Sequence, residues 1–264
     1  MYILKLGGSV ITKKDSSKSE INEENLKRIA REIKNANIDN LIIIHGAGSF
    51  GHPPAKKYKI GEKFDPEEYD KKRIGFCLTS NEVKKLNMLI CEAFIEEELP
   101  VIAISPSSVM TSKNKRIEHL DTDLIVKYLE KGYIPVMYGD VVLDSNLEMA
   151  VISGDQIIQF LARDLNVQNV ILSTDVDGIY NKNPKIHDDA VFVEKFSSIE
   201  ELETLEGSTS VDVTGGMAGK IKELLSLADL GINSQIINAN IENNIYKALK
   251  NEKVKGTIIS KAEE

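Results

Sequence analysis

Short runs of apolar residues alternate along the chain with longer stretches in which apolar residues recur every three or four positions. The short runs predict buried strands, and the longer stretches predict amphipathic helices. The predicted strands are Tyr2–Leu6, Leu41–His45, Val101–Ser105, Ile134–Tyr138, Val170–Thr174, Ser234–Ile237 and Gly256–Ile259. The predicted helices are Asn22–Asn35, Lys71–Glu97, Thr122–Lys131, Asp155–Leu165, Met217–Leu230 and Asn243–Lys250. Their alternation favours an α/β fold with a parallel or mostly parallel sheet.

Two segments depart from this alternation. Val141–Leu143 and Met149–Ile152 flank the polar residues Asp144-Ser145-Asn146, which predicts a small hairpin and a boundary between two lobes. The segment from Pro53 to Asp70 is polar and is predicted to be irregular, so it is a candidate for a mobile cover.

Composition narrows the class of protein. The 264 residues are 42% hydrophobic and 28% charged, as in an ordinary globular protein. A net charge of −8 and the absence of a dominant basic run argue against a general nucleic-acid partner. There is no run of apolar residues long enough to cross a membrane and no signal peptide, and two cysteines are too few for a disulfide framework. We therefore expect a cytoplasmic protein.

The first strand runs directly into a glycine turn, Gly7-Gly8-Ser9, and carries a lysine, Lys5, within its apolar run. A lysine in a buried strand requires a negative partner. Adjacent glycines let the backbone approach a ligand and present N–H groups to a phosphate. This combination predicts phosphate chemistry.

A second glycine turn, His45 to His52, follows the second strand directly. It contains the G-x-G-x-x-G pattern of dinucleotide-binding folds. The acidic residue that would hold the ribose should end a strand about 20 residues later. The corresponding region, Phe64 to Glu68, follows no predicted strand. An anion-binding turn fits better than a nicotinamide site, and a ligand-free strand-to-helix turn is the structural alternative.

Three further segments are ambiguous when each is taken alone. Thr214–Lys220 opens a helix with glycines and a lysine but lacks the first glycine and the final Ser or Thr of a P-loop, so Lys220 is either an anion ligand or a surface residue. Asp155 is either a functional carboxylate or a first-turn acid. Asp175 and Asp177 are either ligands or turn residues beside Gly178.

Five segments together resemble the amino acid kinase superfamily in order and spacing: KLGGS (Lys5–Ser9), HGAGSFGH (His45–His52), SGDQ (Ser153–Gln156), TDVDGIY (Thr174–Tyr180) and TGGMAGK (Thr214–Lys220). The resemblance implies an open αβα sandwich formed by residues 1–264 as one domain. It also implies an N-terminal lobe, 1–150, for the phosphate acceptor and oligomer contacts, and a C-terminal lobe, 151–264, for ATP.

Within this superfamily the chain is most similar to the isopentenyl phosphate kinases, through His52, Lys14 and YGDVVLD (Tyr138–Asp144). The resemblance implies ATP-dependent phosphorylation of isopentenyl phosphate to isopentenyl diphosphate, in a mevalonate-type alternative route of isoprenoid biosynthesis. It further implies Mg²⁺ carried with ATP, related isoprenoid monophosphates as ligands and a homodimer.

The same resemblance assigns roles to individual residues. It implies a catalytic set of Lys5, Lys14, His52, Asp155 and Lys220, in which Asp155 holds the two phosphoryl-neutralising lysines, Lys5 and Lys220. It implies an ATP site of Lys5, Gly7, Gly8, Ser9, Gly48, Asp175, Tyr180, Gly216 and Lys220. It implies an acceptor site of Gly46, Ala47, Gly48, His52, Phe76, Gly139 and Ser153. Phe76 is a candidate for the hydrocarbon pocket. It belongs to an apolar helical stripe with Val83, Leu86 and Ile90, and for most of these positions packing in the core is the favoured interpretation.

Three other functions stay open at this stage. The first is a kinase of the same superfamily that acts on another small acceptor, such as carbamate, an amino acid carboxylate or a nucleoside monophosphate. A non-catalytic binding protein predicts loss of a phosphoryl-stabilising group, yet Lys5, Asp155 and Lys220 are all present. The nicotinamide enzyme lacks its ribose-binding acid.

Overall fold

The computed structural model describes residues 1–13, 20–198, 200–201 and 217–261. Two of the predicted site residues, Lys14 and Gly216, lie outside these ranges. Within them, each predicted strand and helix is present, with bounds that differ from the prediction by at most two residues.

The strands, in chain order, are β1 (Tyr2–Leu6), β2 (Leu41–His45), β3 (Val101–Ala103), β4 (Met110–Lys113), β5 (Arg116–Leu120), β6 (Ile134–Tyr138), β7 (Asp140–Asp144), β8 (Glu148–Ile152), β9 (Asn169–Thr174), β10 (Ile179–Tyr180), β11 (Phe192–Val193), β12 (Lys195–Phe196), β13 (Asn233–Asn238) and β14 (Gly256–Ile259). The helices are α1 (Gly8–Ile11), α2 (Glu23–Ala36), α3 (Gly48–Lys57), α4 (Tyr69–Glu96), α5 (Pro106–Val109), α6 (Thr122–Glu130), α7 (Gly154–Asp164), α8 (Met217–Ala228) and α9 (Asn244–Leu249).

Eight strands form the central sheet, in the order β12-β14-β13-β9-β1-β2-β6-β3. Every neighbouring pair in it is parallel except β13 and β14, which are antiparallel. The prediction of a mostly parallel sheet is therefore confirmed. Parallel strands need crossover connections, which the intervening helices provide.

Helices cover both faces of this sheet and enclose two apolar cores. One core contains apolar residues of α6, α7 and α8, and the other contains residues of α2, α4 and α9. Successive side chains of a strand point to opposite faces, so in β1 Ile3 lies in the first core and Leu4 in the second. Lys5 shares the face of Ile3, and this alternation directs it towards α7 and α8.

A smaller four-stranded sheet, β5-β4-β7-β8, lies beside the central one. The predicted hairpin is its β7–β8 pair, which is antiparallel as expected. The β4–β5 hairpin was not predicted, because its turn residues, Asn114 and Lys115, include no glycine although both adopt positive φ angles. Residue 150, at which the two lobes are predicted to meet, falls within β8.

The prediction that residues 53–70 are irregular is wrong at its beginning. Residues 48–57 form α3, which includes Pro53 and Pro54. Prolines lack the N–H that would bond to the carbonyl four residues earlier, and for this reason the sequence suggested a break. The helix continues because the carbonyl of Pro54 still accepts a hydrogen bond from the Tyr58 amide at 3.0 Å.

In the part of the chain that the structure describes, no helix combines the length and the apolar composition needed to cross a membrane.

Candidate active site

Four neighbouring parallel strands end at one edge of the central sheet. Leu6 ends β1, His45 ends β2, Tyr138 ends β6 and Thr174 ends β9. The chain continues from β1 to the adjacent β2 on one side, whereas the central-sheet strands that follow β9, which are β12, β13 and β14, all lie on the other side. Such a switch point leaves a crevice outside the carboxyl ends of the strands, where open α/β sheets bind their ligands.

The two glycine turns pack backbone against backbone at this edge. A Cβ atom on Gly8 would lie 2.9 Å from the Cα of Gly48, and one on Gly46 would lie 3.2 Å from the Gly8 nitrogen. The Gly7 amide donates to the carbonyl of Ser173 at 3.0 Å, which fixes the first turn against β9. Side chains at these glycines would force the turns apart, so the close approach explains why the residues are glycines.

Lys5 and Asp155 form an ion pair beside these turns. The Lys5 side chain is only 6% exposed, and Asp155 lies in the first turn of α7, which packs on β1. Burial lowers the pKa of the Lys5 ammonium, the charge of Lys220 lowers it further, and Asp155 opposes both effects. Lys220, on α8, is therefore close enough to Lys5 for their charges to interact. The structure brings the three predicted charged residues together, and their catalytic roles stay a prediction.

The second glycine turn leads into α3. Gly48 has a φ of 52°, in the left-handed region that glycine adopts without strain. A Cβ on Gly48 would lie 2.9 Å from Cγ2 of Thr12, whose hydroxyl donates to the Gly8 carbonyl at 2.8 Å. His52 is exposed on α3, where a ligand can reach it. Sequence reasoning missed Thr12, which holds the two turns together.

His45, by contrast, is completely buried at the end of β2. Its Nδ1 lies 2.9 Å from the Gly46 carbonyl oxygen, and its Nε2 lies 3.1 Å from Oδ1 of Asn87 on α4. The ring stacks on that of Tyr138, with centroids 5.2 Å apart. Burial lowers the pKa of His45 to about 4, so the ring is neutral at pH 7.

The loop after β9 carries the predicted nucleotide ligands. Asp175 pairs with Lys185. Asp177 accepts hydrogen bonds from Lys255 at 2.6 Å, from Asn238 at 3.0 Å and from the Tyr180 hydroxyl at 3.2 Å. The hydrogen bond from Lys255 is the main reason that the pKa of Asp177 lies below its usual value. Sequence reasoning left Asp177 open as either a ligand or a turn residue and gave no role to Lys255.

Thr257, on β14, is hydrogen-bonded to the segment that follows this loop. Its buried hydroxyl accepts from the Ile179 amide at 2.7 Å and donates to the Val193 carbonyl at 2.6 Å. A Cβ on Gly178 would lie 2.4 Å from the same oxygen, so the loop passes closely over Thr257. The position of this loop, which carries the predicted nucleotide ligands, therefore depends on the last strand.

Gly139 and Ser153 lie between the second glycine turn and α7. The Gly139 amide donates to the His45 carbonyl at 3.2 Å, which joins the ends of β6 and β2. The Ser153 hydroxyl caps α7 by accepting from the Gln156 amide at 3.3 Å. Gly139 is thus bonded to the second glycine turn, and Ser153 adjoins the helix that carries Asp155. Their contacts with substrate stay a prediction.

Phe76, on α4, is half-buried and packs against a small apolar cluster separate from the two main cores. The cluster contains Ile60, Val141 and Met149, with Tyr58 beside Phe76 at its edge. Val141 lies two residues after Gly139, so the cluster is near the predicted acceptor site. Leu86 and Ile90, from the same predicted stripe, pack in the core instead.

Comparisons with known proteins agree on one family. The model of the amino acid kinase family matches residues 1–238. The isopentenyl phosphate kinase of Methanothermobacter thermautotrophicus is 52% identical over 263 residues, which cover 98% of this chain and 99% of the relative. The isopentenyl phosphate kinase of Methanocaldococcus jannaschii is 38% identical over 275 residues and covers 100% of both chains.

A solved structure gives the same result for the fold. An X-ray structure of isopentenyl phosphate kinase superposes with a TM-score of 0.89 at 48% identity, covering 98% of this chain and 99% of the other. The predicted α/β architecture is thus confirmed over nearly the whole length.

Proposed function

The chain belongs to the amino acid kinase family, and we propose that it transfers the γ-phosphoryl group of ATP to isopentenyl phosphate, forming isopentenyl diphosphate and ADP. The main structural support is the cluster of Lys5, Asp155 and Lys220 at the ends of β1 and β9, beside two glycine turns. The family implies ATP as the donor. The similarity to isopentenyl phosphate kinases along nearly the whole chain favours the acceptor and its use in isoprenoid biosynthesis.

The principal barrier in this reaction is electrostatic. The acceptor phosphate approaches the phosphates of ATP, and at about 4 Å and an effective dielectric constant near 20 one pair of unit charges repels by roughly 4 kcal/mol. Lys5 and Lys220 would neutralise the transferring group, with Asp155 holding Lys5 in position. Positioned cations and backbone N–H groups are what phosphoryl transfer requires.

A general base is not needed in this proposal. A phosphate monoester has a second pKa of about 6, so an acceptor oxygen is already ionised at neutral pH. That oxygen attacks the γ-phosphorus, and the bond from phosphorus to the oxygen of the ADP leaving group breaks. We assign His52 as a hydrogen-bond donor to the acceptor phosphate, next to the N–H groups of Gly46, Ala47 and Gly48. Lys14 would reach between the donor and the acceptor.

On the nucleotide side, we assign Gly7, Gly8, Ser9, Gly48 and Gly216 to the phosphates of ATP. We assign Asp175 and Tyr180 to its nucleoside. Mg²⁺ would arrive bound to the phosphate oxygens of ATP, which are the hard ligands that it prefers. Among the described residues, no group of three or more His, Cys, Asp or Glu side chains is arranged to hold a metal ion.

The hydrocarbon tail of the acceptor would lie at the small apolar cluster around Phe76. The cluster combines half-buried aromatic side chains with the fully buried Val141 near the acceptor turn. A short branched hydrocarbon could extend the apolar packing there. The cytoplasmic location stays part of this proposal.

We also propose a homodimer, formed through α4. Ile74, Leu78, Met88 and Ile95 are each more than 40% exposed on this helix. Their spacing places them within about a third of its circumference. Exposed apolar faces of this kind favour association. Sedimentation of the wild-type protein should show a dimer, and Met88→Glu should dissociate it. Ile186→Glu, at an exposed residue away from α4, is the control and should remain dimeric. A wild-type monomer would refute the homodimer.

The function is tested by ADP release with Mg²⁺-ATP and a panel of acceptors: isopentenyl phosphate, dimethylallyl phosphate, UMP, carbamate, aspartate, glutamate and acetylglutamate. We expect preference for isopentenyl phosphate, with a loss of at least about 100-fold in Lys220→Ala. Lys222→Ala, at an exposed lysine on the same helix, is the matched control. Preference for another acceptor would overturn the assigned substrate, and no turnover with any of them would favour a binding protein.

A further inference from the structure

His45 has an unusual pair of neighbours for a neutral imidazole. Its Nδ1 faces the carbonyl oxygen of Gly46 at 2.9 Å, and its Nε2 faces the side-chain oxygen Oδ1 of Asn87 at 3.1 Å. A carbonyl oxygen can only accept a hydrogen bond, and a neutral imidazole carries one N–H. The proton must therefore be on Nδ1, because an unprotonated Nδ1 would place its lone pair against the Gly46 oxygen.

This tautomer determines the orientation of the Asn87 amide. With its proton on Nδ1, the ring has an acceptor at Nε2. The atom of Asn87 placed at Nε2 is Oδ1, and its lone pair would then face that of the ring. We therefore reverse the amide, so that its NH₂ group donates to Nε2. The oxygen and nitrogen of a side-chain amide are assigned from the hydrogen bonds that they make. Asn87 is 3% exposed on α4, so its amide has little water to bond to in place of Nε2.

The hydrogen bond to Gly46 also orients the next peptide group. In a trans peptide the C=O and N–H point in opposite directions, so the Ala47 N–H points away from the His45 ring. This peptide group immediately precedes α3, whose first N–H groups have no acceptor within the helix. The stacked ring of Tyr138 and the Gly139 bond to the His45 carbonyl prevent the histidine from turning.

We propose that His45 is a positioning residue. Its Nδ1–H holds the Gly46 carbonyl and so aims the amide of Ala47 and the start of α3 at the acceptor phosphate. The inference rests on the proposed function, which assigns that phosphate to this turn. It adds to the proposed function a buried residue, His45, which does not contact the acceptor phosphate but orients the N–H groups that would bind that phosphate.

The tautomer is measured first, on the wild-type protein without substrate. Long-range ¹H–¹⁵N spectra of labelled histidine distinguish Nδ1–H from Nε2–H rings, and the His45 signal is identified by its absence in His45→Asn. We expect the Nδ1–H form between pH 6 and 8, as the buried ring stays neutral there. An Nε2–H or doubly protonated ring would overturn the proposal. This measurement does not depend on which acceptor the enzyme uses.

The kinetic test uses two substitutions that differ in where they place an amide NH₂. In His45→Asn it lies near the position of Nδ1, and in His45→Gln it lies near that of Nε2. We expect the KM for isopentenyl phosphate to rise about tenfold in His45→Gln, corresponding to the loss of roughly one hydrogen bond. We expect a rise below threefold in His45→Asn, with the KM for ATP and kcat within about twofold in both.

The control is His119→Gln, at an exposed histidine on β5, which should leave every constant unchanged. Equal KM values in the Asn and Gln variants, or a loss confined to kcat, would overturn the positioning role. Wild-type protein that does not turn over isopentenyl phosphate would instead refute the proposed function, while the tautomer result would stand. If the variants do not fold, the wild-type spectrum alone decides whether His45 donates to Gly46.

Discussion

Two lysine–aspartate pairs belong to the candidate site, and their surroundings differ. The Lys5–Asp155 pair is buried, with side chains 6% and 14% exposed. The Lys255–Asp177 pair on the nucleotide loop has side chains 60% and 20% exposed. Removing one partner of a buried pair leaves an uncompensated charge, whereas an exposed pair is screened by water and salt. The first pair should fix the reaction centre, and the second should only tune the nucleotide loop.

The largest effect is expected from Asp155→Asn. Without this carboxylate, nothing opposes the burial and the Lys220 charge that lower the pKa of Lys5. We expect kcat to fall at least about 100-fold and the free energy of unfolding to fall by about 3 kcal/mol. Because Lys5 must be charged to act, the residual activity should decrease as pH rises through its further lowered pKa.

Steady-state kinetics from pH 6 to 9 and chemical denaturation measure these changes. Asp164→Asn, at an exposed aspartate at the other end of α7, is the control and should behave as wild type. If both variants lost activity equally, the buried pair would have no special role.

Thr257→Val tests whether the nucleotide loop depends on a buried hydroxyl more than on its exposed ion pair. The substitution keeps the shape but removes the bonds to Ile179 and Val193. Leaving buried backbone groups unpaired should lower the free energy of unfolding by about 1–3 kcal/mol, and we expect the KM for ATP to rise about fivefold. Thr257→Ser retains the hydroxyl and should restore most of both. Equal behaviour of the Val and Ser variants would contradict the anchoring role.

Lys255→Gln should have a smaller effect, which depends on salt. The variant removes the exposed partner of Asp177, so we expect the KM for ATP to rise about threefold or less in low salt. The difference should disappear near 1 M KCl, where the screening length is about 3 Å. Lys253→Gln, at an exposed lysine on the same connection, controls for the lost charge. A salt-independent loss would mean that Lys255 contacts the nucleotide directly.

The sequence predicted the parts of this comparison that depend on local pattern. Strand alternation places Lys5 on the face of Ile3, and a first-turn acid at Asp155 lies on the helix that covers that face. The parallel order of the strands then brings the two glycine turns to one edge. These features follow from periods of two and about four residues, which are visible in a single sequence.

Contacts between distant segments could not be predicted in this way. His45 and Asn87 are 42 residues apart, and Asp177 and Lys255 are 78 residues apart. Neither pair has a spacing that periodicity would detect, and an exposed lysine before a strand is ordinary. Only the packing of α4 on β2 and the return of β14 to the sheet bring these residues together.

The smallest effect on activity at neutral pH is expected from substitution of Asp144, a carboxylate that is held by a hydroxyl and backbone amides. Its oxygens accept hydrogen bonds of 2.8–3.1 Å from the Ser112 hydroxyl and from the amides of Asn114, Lys115, Asn146 and Leu147. Burial alone would raise the pKa of Asp144, but these donors outweigh it and lower the pKa to about 2. A carboxylate with a lowered pKa stabilises the folded state above its unfolded pKa near 4, and this contribution is lost as pH falls towards 2.

Asp144→Asn should therefore leave kcat and both KM values unchanged at pH 7, because Asp144 lies at the end of the β7–β8 hairpin away from Gly139 and Ser153. The wild-type free energy of unfolding should decrease between about pH 4 and 2, and the variant should lose part of this dependence, because an amide does not titrate. Denaturation curves at several pH values measure how the free energy of unfolding changes with pH. Asp123→Asn, at an exposed aspartate on α6, is the control and should keep the wild-type slope of this free energy against pH. An unchanged slope in Asp144→Asn would show that other groups account for the acid sensitivity instead.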